Sequence, residues 1–321
     1  MRISSLAWVT VAICFVRLGC GFAQISPAQD EDRSSHTVKF IQVDKDVLLE
    51  VLDWGGSGRP LVLLAGANTT AHIYDTFLVP KLIGKYHVYG ITRRGSGKSS
   101  APESGYLADR LGDDVLAVIG ALKLDHPVLV GHSIAGQELS SIGSRHPEKV
   151  AGLIYLDAVN IYSFYQAGNR NALNVDFYEL QRKLEKLRNG GVNQYQLLQD
   201  LLEIDLPLFK KDLEREQEEL RKLGLQHLIS GPLDPPGNPK ISAGIQRYTA
   251  VKAPVLAICA GQSQKTIQVS WEKEWKPIVE GNAPSAKFVV LPDATHLIFI
   301  SNEEDVLREM NAFIAGLHKL P

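Results

Sequence analysis

The stretch Gly131-His132-Ser133-Ile134-Ala135-Gly136 decides how this chain is read. It follows Pro127-Val128-Leu129-Val130, a continuous apolar run of the kind that forms a strand buried on both faces. It opens a helical pattern over 134–145 that Pro147 stops. A serine at such a junction sits on a tight, strained turn and needs small neighbours, which Gly131 and Ala135 supply. Gly136, Ser140 and Gly143 are small enough to let the helix pack close to a sheet. The helix start aims free backbone N–H groups and a positive dipole at the serine. An oxyanion formed by attack of Ser133 on a carbonyl would be held there, first by the Ile134 N–H. The plainer alternative is a close strand-to-helix junction with an idle serine, and the hexapeptide alone does not exclude it.

Working outward, short apolar runs alternate with helical patterns. Strands are expected at 38–43, 47–53, 61–65, 87–92, 127–131 and 153–156, with helices at 74–84 and 107–122. The rhythm breaks over 159–240, which holds charged helical segments such as 180–187 and 213–223 and ends in the stiff loop Gly231-Pro232-Leu233-Asp234-Pro235-Pro236-Gly237. It resumes with strands at 254–258 and 287–291. A last helix is expected from Ser301, with Glu304 completing a capping box and Val306, Met310, Phe313 and Leu317 forming its apolar stripe. Strands alternating with helices imply an α/β fold, a mostly parallel sheet with helices on both faces. We expect a core at 37–158 and 241–321, with 159–240 as a helical cap inserted after the sixth strand, over the sheet edge where ligands bind.

The composition removes other function classes. The 321 residues are 45% hydrophobic, which excludes disorder, and a net charge of −2 leaves no basic field for nucleic acid or an anionic membrane. Three cysteines build no disulfide scaffold. At the amino end, Arg2, an apolar stretch over 6–16 and Gly21-Phe22-Ala23 form a signal-peptide pattern, with cleavage expected after Ala23. An uncleaved anchor, or a lipoprotein cut before Cys20, are the alternatives. Residues 24–36 read as a flexible lead-in. Cleavage removes Cys14 and Cys20 and shifts the formal charge from −2 to −4 through loss of Arg2 and Arg17. The expected location is then periplasmic or secreted.

With its elbow after the fifth strand, the chain resembles the α/β-hydrolase fold family over roughly residues 38–318. The resemblance implies an eight-stranded sheet and Ser133 as the nucleophile. It also implies a second oxyanion donor in the loop after the third strand, here Ala65-Gly66-Ala67-Asn68, so that the Ala67 N–H is the candidate. The family's usual His-Gly is Ala65-Gly66 in this loop, which leaves the backbone donor available. Arg94-Gly95-Ser96-Gly97-Lys98-Ser99 looks like the family's Arg-Gly-x-Gly-x-Ser turn. As a phosphate-binding loop it fails, because Thr92 stands where a glycine is required, and as a dinucleotide fingerprint it fails at Ser100.

His296, in Pro292-Asp293-Ala294-Thr295-His296, lies just past the last strand, where the resemblance places the histidine. Imidazole is the side chain that takes and returns a proton near neutral pH. The family's usual acid follows the seventh strand as Gly-x-x-Asp, but here that stretch is Gly261-Gln262-Ser263-Gln264, and Gln264 cannot stabilise an imidazolium with charge. Some members carry the acid after the sixth strand, where Asp157 stands. It is the candidate, with a structural aspartate as its plainer reading. Asp293 is too near His296 to reach the far ring nitrogen comfortably. No His-Glu-x-x-His, clustered cysteines or calcium-loop pattern occurs, so neither a metal nor another cofactor is expected. Charge runs such as Lys210-Lys211-Asp212 read as solvated helix faces, and Trp271 and Trp275 as packing.

The expected function is hydrolysis of small, largely apolar esters, thioesters, lactones or amides. Ser133, His296 and Asp157 would act as a triad beside the Ala67 and Ile134 N–H groups. Cofactor-free lyase, perhydrolase or carbon–carbon hydrolase chemistry, or a weakly catalytic binding protein, are the alternatives. The expected partner is a small-molecule substrate, with no nucleic acid and no membrane after signal cleavage.

Overall fold

Eight strands join into one sheet in the order β1-β2-β4-β3-β5-β6-β7-β8. They are β1 (Thr37–Asp44), β2 (Val47–Gly55), β3 (Pro60–Leu64), β4 (His87–Ile91), β5 (Val128–His132), β6 (Gly152–Leu156), β7 (Val255–Ala260) and β8 (Lys287–Leu291). The structure is a computed structural model that describes residues 35–169, 172–190, 193–222, 239–242, 244–262 and 270–317. β2 pairs antiparallel with β1 and β4, and the pairings from β4 through β8 are parallel.

The central strands are apolar on both faces, and the period of two sorts them. Val62, Leu64, Leu129, Tyr155, Ala257 and Cys259 join one buried cluster. Leu61, Leu63, Val130, Ile154, Leu156 and Ile258 join the other. α2 (Ala108–Ala121) and α3 (Gly136–Arg145) cover the first face through Val115, Val118, Leu139 and Ile142. The second face is covered by α1 (Leu78–Leu82) through Leu78 and Leu82, and by the last helix through Val306 and Met310. Each such side chain contributes about 2 kcal/mol of burial. Because both faces are apolar, burial alone does not set strand register. A glycine fixes instead where a helix sits: a Cβ at Gly131 would lie 2.9 Å from Leu139 Cδ1, so α3 seats closely over that point of β5.

The insert after β6 holds α4 (Ala172–Asn189), α5 (Gln194–Asp200) and α6 (Leu206–Lys222), and no strand among its described residues. A one-turn helix α7 (Pro239–Ser242) precedes β7, and α8 (Lys276–Asn282) precedes β8. Leu180, Leu197 and Leu201 form a small satellite core with Leu187 and Phe209. The residues proposed as a signal peptide and the loop at 231–237 lie outside the described residues.

Three local expectations need correction. The helix expected over 74–84 is a 3₁₀ turn, Ala71–Tyr74, followed by the short α1; Pro80 lacks an N–H and is tolerated only in a helix's first turn, which is where it stands. The last helix does not start on a Ser301 capping box. A one-turn α9 (Ile298–Ser301) is followed by α10 (Glu303–Gly316), and the Ser301 hydroxyl accepts from the Thr295 N–H at 3.0 Å instead. Asp212 is not on a solvated face: it is buried against Arg215. Trp271 and Trp275 are buried in the core, and the Trp271 indole donates to the Ala260 carbonyl at 2.9 Å.

Candidate active site

β5 ends at His132, and Ser133 follows with a backbone φ of 56°, in the left-handed region that costs an L-residue about 1–2 kcal/mol. The chain then makes a 3₁₀ turn, Ser133–Ala135, and enters α3. The strain at Ser133 is held in place by close packing. Ala135 is fully buried, and a Cβ at Gly136 would come within 2.2 Å of Ser163 Oγ and 2.4 Å of the Ala158 carbonyl. Larger residues at this junction would push the turn off the loop that leaves β6.

His296 reaches the serine from the loop between β8 and α9. Its Nε2 lies 3.0 Å from Ser133 Oγ, and its Nδ1 lies 2.7 Å from Asp157 Oδ2. A carboxylate only accepts, so Nδ1 carries the proton and Nε2 is left to accept from the serine hydroxyl. Asp157 stands one residue past β6 at φ 45°, with its side chain 3% exposed. Its Oδ1 accepts from the Ala260 N–H at 2.8 Å, which fixes the carboxylate's rotation. Asp293, the poorer candidate, is exposed, and its carbonyl accepts from Gln262 Nε2 at 3.0 Å. Gln264 lies outside the described residues.

The His296 loop is tied down at two points, neither evident from the sequence. One is the Ser301 hydroxyl on the Thr295 N–H; the other is His132, whose Nε2 donates to the His296 carbonyl at 2.9 Å. Burial, followed by the nearby His296 ring, pushes the His132 pKa down to about 3, so this imidazole stays neutral and acts as a fixed strut.

The loop Ala65-Gly66-Ala67-Asn68 lies against the elbow: a Cβ at Gly66 would stand 2.7 Å from His132 Nδ1 and 3.3 Å from Ser133 Cβ. Beneath it sits Arg93, another residue that the sequence reading missed. Its guanidinium donates to the carbonyls of Ala65 at 2.9 Å and Gly66 at 3.4 Å, and forms a two-point pair with Glu138 on the first turn of α3. Those two contacts fix the carbonyls of the loop residues that precede Ala67. The signal was there in Arg93-Arg94 at the end of an apolar strand, because two buried guanidinium groups demand two buried acids. Arg94 finds Asp114 at 2.6 Å through two contacts. The following turn is structural: Gly95 and Gly97 have φ of 77° and 49°, and the Ser99 hydroxyl donates to the Thr92 carbonyl at 2.6 Å.

A 2-(acetamidomethylene)succinate hydrolase from Mesorhizobium japonicum is 23% identical over 270 residues, covering 81% of this chain and 89% of its own. A bifunctional esterase/perhydrolase from Acinetobacter calcoaceticus is 30% identical over 140 residues, covering 43% of this chain and 51% of its own. A thermophilic esterase from Thermogutta terrifontis superposes with a TM-score of 0.56 at 18% identity, covering 89% of this chain and all of that one. The family profile of the alpha/beta hydrolase fold matches residues 59–303, which span β3 to the start of α10. The strand order and that match together show that the chain belongs to the α/β-hydrolase fold family.

Proposed function

We propose that this protein is a serine hydrolase of small, largely apolar carboxylic esters, thioesters, lactones or amides, acting through an acyl-enzyme. The observation that carries the reading is the relay from Ser133 Oγ to His296 Nε2 at 3.0 Å and from His296 Nδ1 to Asp157 at 2.7 Å. Ser133 attacks the substrate carbonyl while His296 takes its proton, and Asp157 stabilises the imidazolium that forms. The Ala67 and Ile134 N–H groups hold the oxyanion; no hydrogen-bond partner for the Ala67 N–H occurs among the described residues. His296 then protonates the leaving group, and water repeats the sequence to free the acid and restore the serine. The helical insert acts as the cap that shapes the acyl pocket. Residues 1–23 direct export, and N-terminal sequencing of the mature protein should begin at Gln24. No helix among the described residues is long and apolar enough to cross a membrane.

A fluorophosphonate probe tests the chemistry. The wild type should label at one site and Ser133→Ala should not. An unlabelled wild type, or undiminished label on the variant, would overturn the reading. The esterase/perhydrolase relative favours one second reading, in which peroxide replaces water at the acyl-enzyme. Assaying acyl nitrophenyl esters with and without hydrogen peroxide separates the two by whether a peracid forms. The close Asp157–His296 contact weighs against a protein that only binds.

A further inference from the structure

Three side chains outside the relay converge behind the loop that carries Ala67. His36 precedes β1, while His72 and Asp75 belong to the 3₁₀ turn after that loop and to its carboxyl-terminal cap. One ligand-capable atom from each lies within 4.8 Å of the others. The His72 Nδ1–Asp75 Oδ2 distance is 2.8 Å and the His36 Nδ1–Asp75 Oδ1 distance is 3.9 Å. The side chains are sheltered, at 1%, 10% and 3% exposure for His36, His72 and Asp75. Trp54 donates its indole N–H to Asp75 Oδ1 at 2.8 Å and packs edge-on to the His36 ring at 5.9 Å, so the carboxylate is oriented from behind.

We propose that His36, His72 and Asp75 form a binding site for a divalent cation of the zinc class. Two imidazole nitrogens and one carboxylate oxygen suit zinc, cobalt(II) or nickel(II), whereas calcium and magnesium prefer all-oxygen shells. Ligand atoms at about 2.0–2.1 Å from a tetrahedral metal stand roughly 3.3 Å apart. The imidazole nitrogens now face different oxygens of the Asp75 carboxylate, His72 Nδ1 at 2.8 Å from Oδ2 and His36 Nδ1 at 3.9 Å from Oδ1, and the ligand set as a whole lies within 4.8 Å, so a bound cation would draw the three side chains together. The Trp54 contact supplies the outer hydrogen bond that orients a ligating carboxylate. A bound cation would replace the His72–Asp75 hydrogen bond and cross-link the residue before the first strand to the turn that closes the loop bearing Ala67. The Tyr74 hydroxyl, within that turn, already donates to the Leu64 carbonyl at 2.9 Å, so the tie would extend to the end of β3. Spacing rules miss the site because one ligand comes from the chain's lead-in and two from a turn beyond β3.

The test uses the full chain with any affinity tag removed, stripped by a chelator and titrated with cobalt(II) and zinc(II). Expected are one saturable equivalent by calorimetry, ligand-field absorption from cobalt(II), and a rise in Tm with zinc(II). His36→Gln and Asp75→Asn should each weaken binding at least about 100-fold, with calcium(II) producing no shift in either protein. Ser133→Ala should bind the metal like wild type, which keeps this proposal separate from the serine chemistry. Absence of a saturable equivalent in the wild type, or unchanged affinity in both variants, would overturn it and leave a buried hydrogen-bonded cluster. The wild-type titration decides the matter even if a variant fails to fold.

Discussion

The central sheet and the helical insert bury charge in opposite ways. In the sheet, buried ions sit at strand ends as two-point pairs, Arg93 with Glu138 and Arg94 with Asp114, inside two extensive apolar clusters. In the insert the apolar satellite is small, and of three buried carboxylates two, Asp176 and Asp205, share Arg247 from the segment before β7. Arg247 donates to Asp176 at 2.6 Å and to Asp205 at 2.7 Å, Lys183 to Asp205 at 2.6 Å, and Arg215 to Asp212 at 2.7 Å. Burial, and then a hydrogen bond from the protonated Asp176 carboxyl to the neighbouring Asp212, raise the Asp176 pKa to about 6. The difference assigns tasks. The relay stands on the part whose geometry is fixed by close apolar packing, and the part proposed as a cap is held by ions that respond to pH.

Four experiments break or sharpen this contrast. The largest effect should come from Asp157→Asn, which keeps the shape and removes the charge opposite His296; kcat should fall about 10³–10⁴-fold. Asp293→Asn should stay within about twofold, and equal losses in the two variants would remove Asp157 from the relay. Next, Glu138→Gln strands the Arg93 guanidinium in the sheet, and chemical denaturation should show a loss of about 3–5 kcal/mol. A loss below about 1 kcal/mol would mean that the loop carbonyls alone satisfy Arg93.

Third, His132 has a folded pKa far below that of an exposed imidazole. The unfolded chain therefore binds a proton that the folded chain refuses. Stability from this residue is present above about pH 6.5 and is lost as pH falls towards 3, by a few kcal/mol in all. His132→Asn should flatten that slope in denaturant melts taken from pH 7 to 4. The smallest effect belongs to the insert. Asp176 has a raised folded pKa, so its favourable contribution is present below the unfolded value near 4 and is lost as pH rises through about 6. Asp176→Asn should remove that slope and shift the pH 7 Tm by only about 2–3 °C. A steep pH dependence surviving in this variant would move the insert's sensitivity to other groups.

Much of the fold was legible because its signals are local. The runs at 61–65, 127–131 and 254–258 are apolar on both faces, and such stretches belong inside a parallel sheet whatever surrounds them. The elbow was legible because the serine stands among small residues at the end of the fifth apolar strand, with a histidine past the last strand. Less legible were features set by distant partners. Ser301 looked like a helix cap until the Thr295 N–H arrived beside it. Asp212 sits in a charged string that looks solvated, yet the fold turns it inward to Arg215. His132 precedes the serine in sequence, yet its hydrogen bond to the His296 carbonyl spans 164 residues.

The amino-acid order by itself determined the alternation of strands and helices, the junction at Ser133, and which histidine and aspartates could reach the sheet edge. The first two follow from side-chain periodicity and from turn chemistry within a few residues, and the third from the place of those residues in the strand order together with the family resemblance. Only the tertiary structure decided that Asp157 lies 2.7 Å from His296, that Arg93 and Glu138 brace the loop bearing Ala67, and that His36 meets His72 and Asp75. Each of these contacts joins segments far apart along the chain. Their separation is set by how the strands order themselves and how the helices seat on them, and no local pattern encodes such a distance.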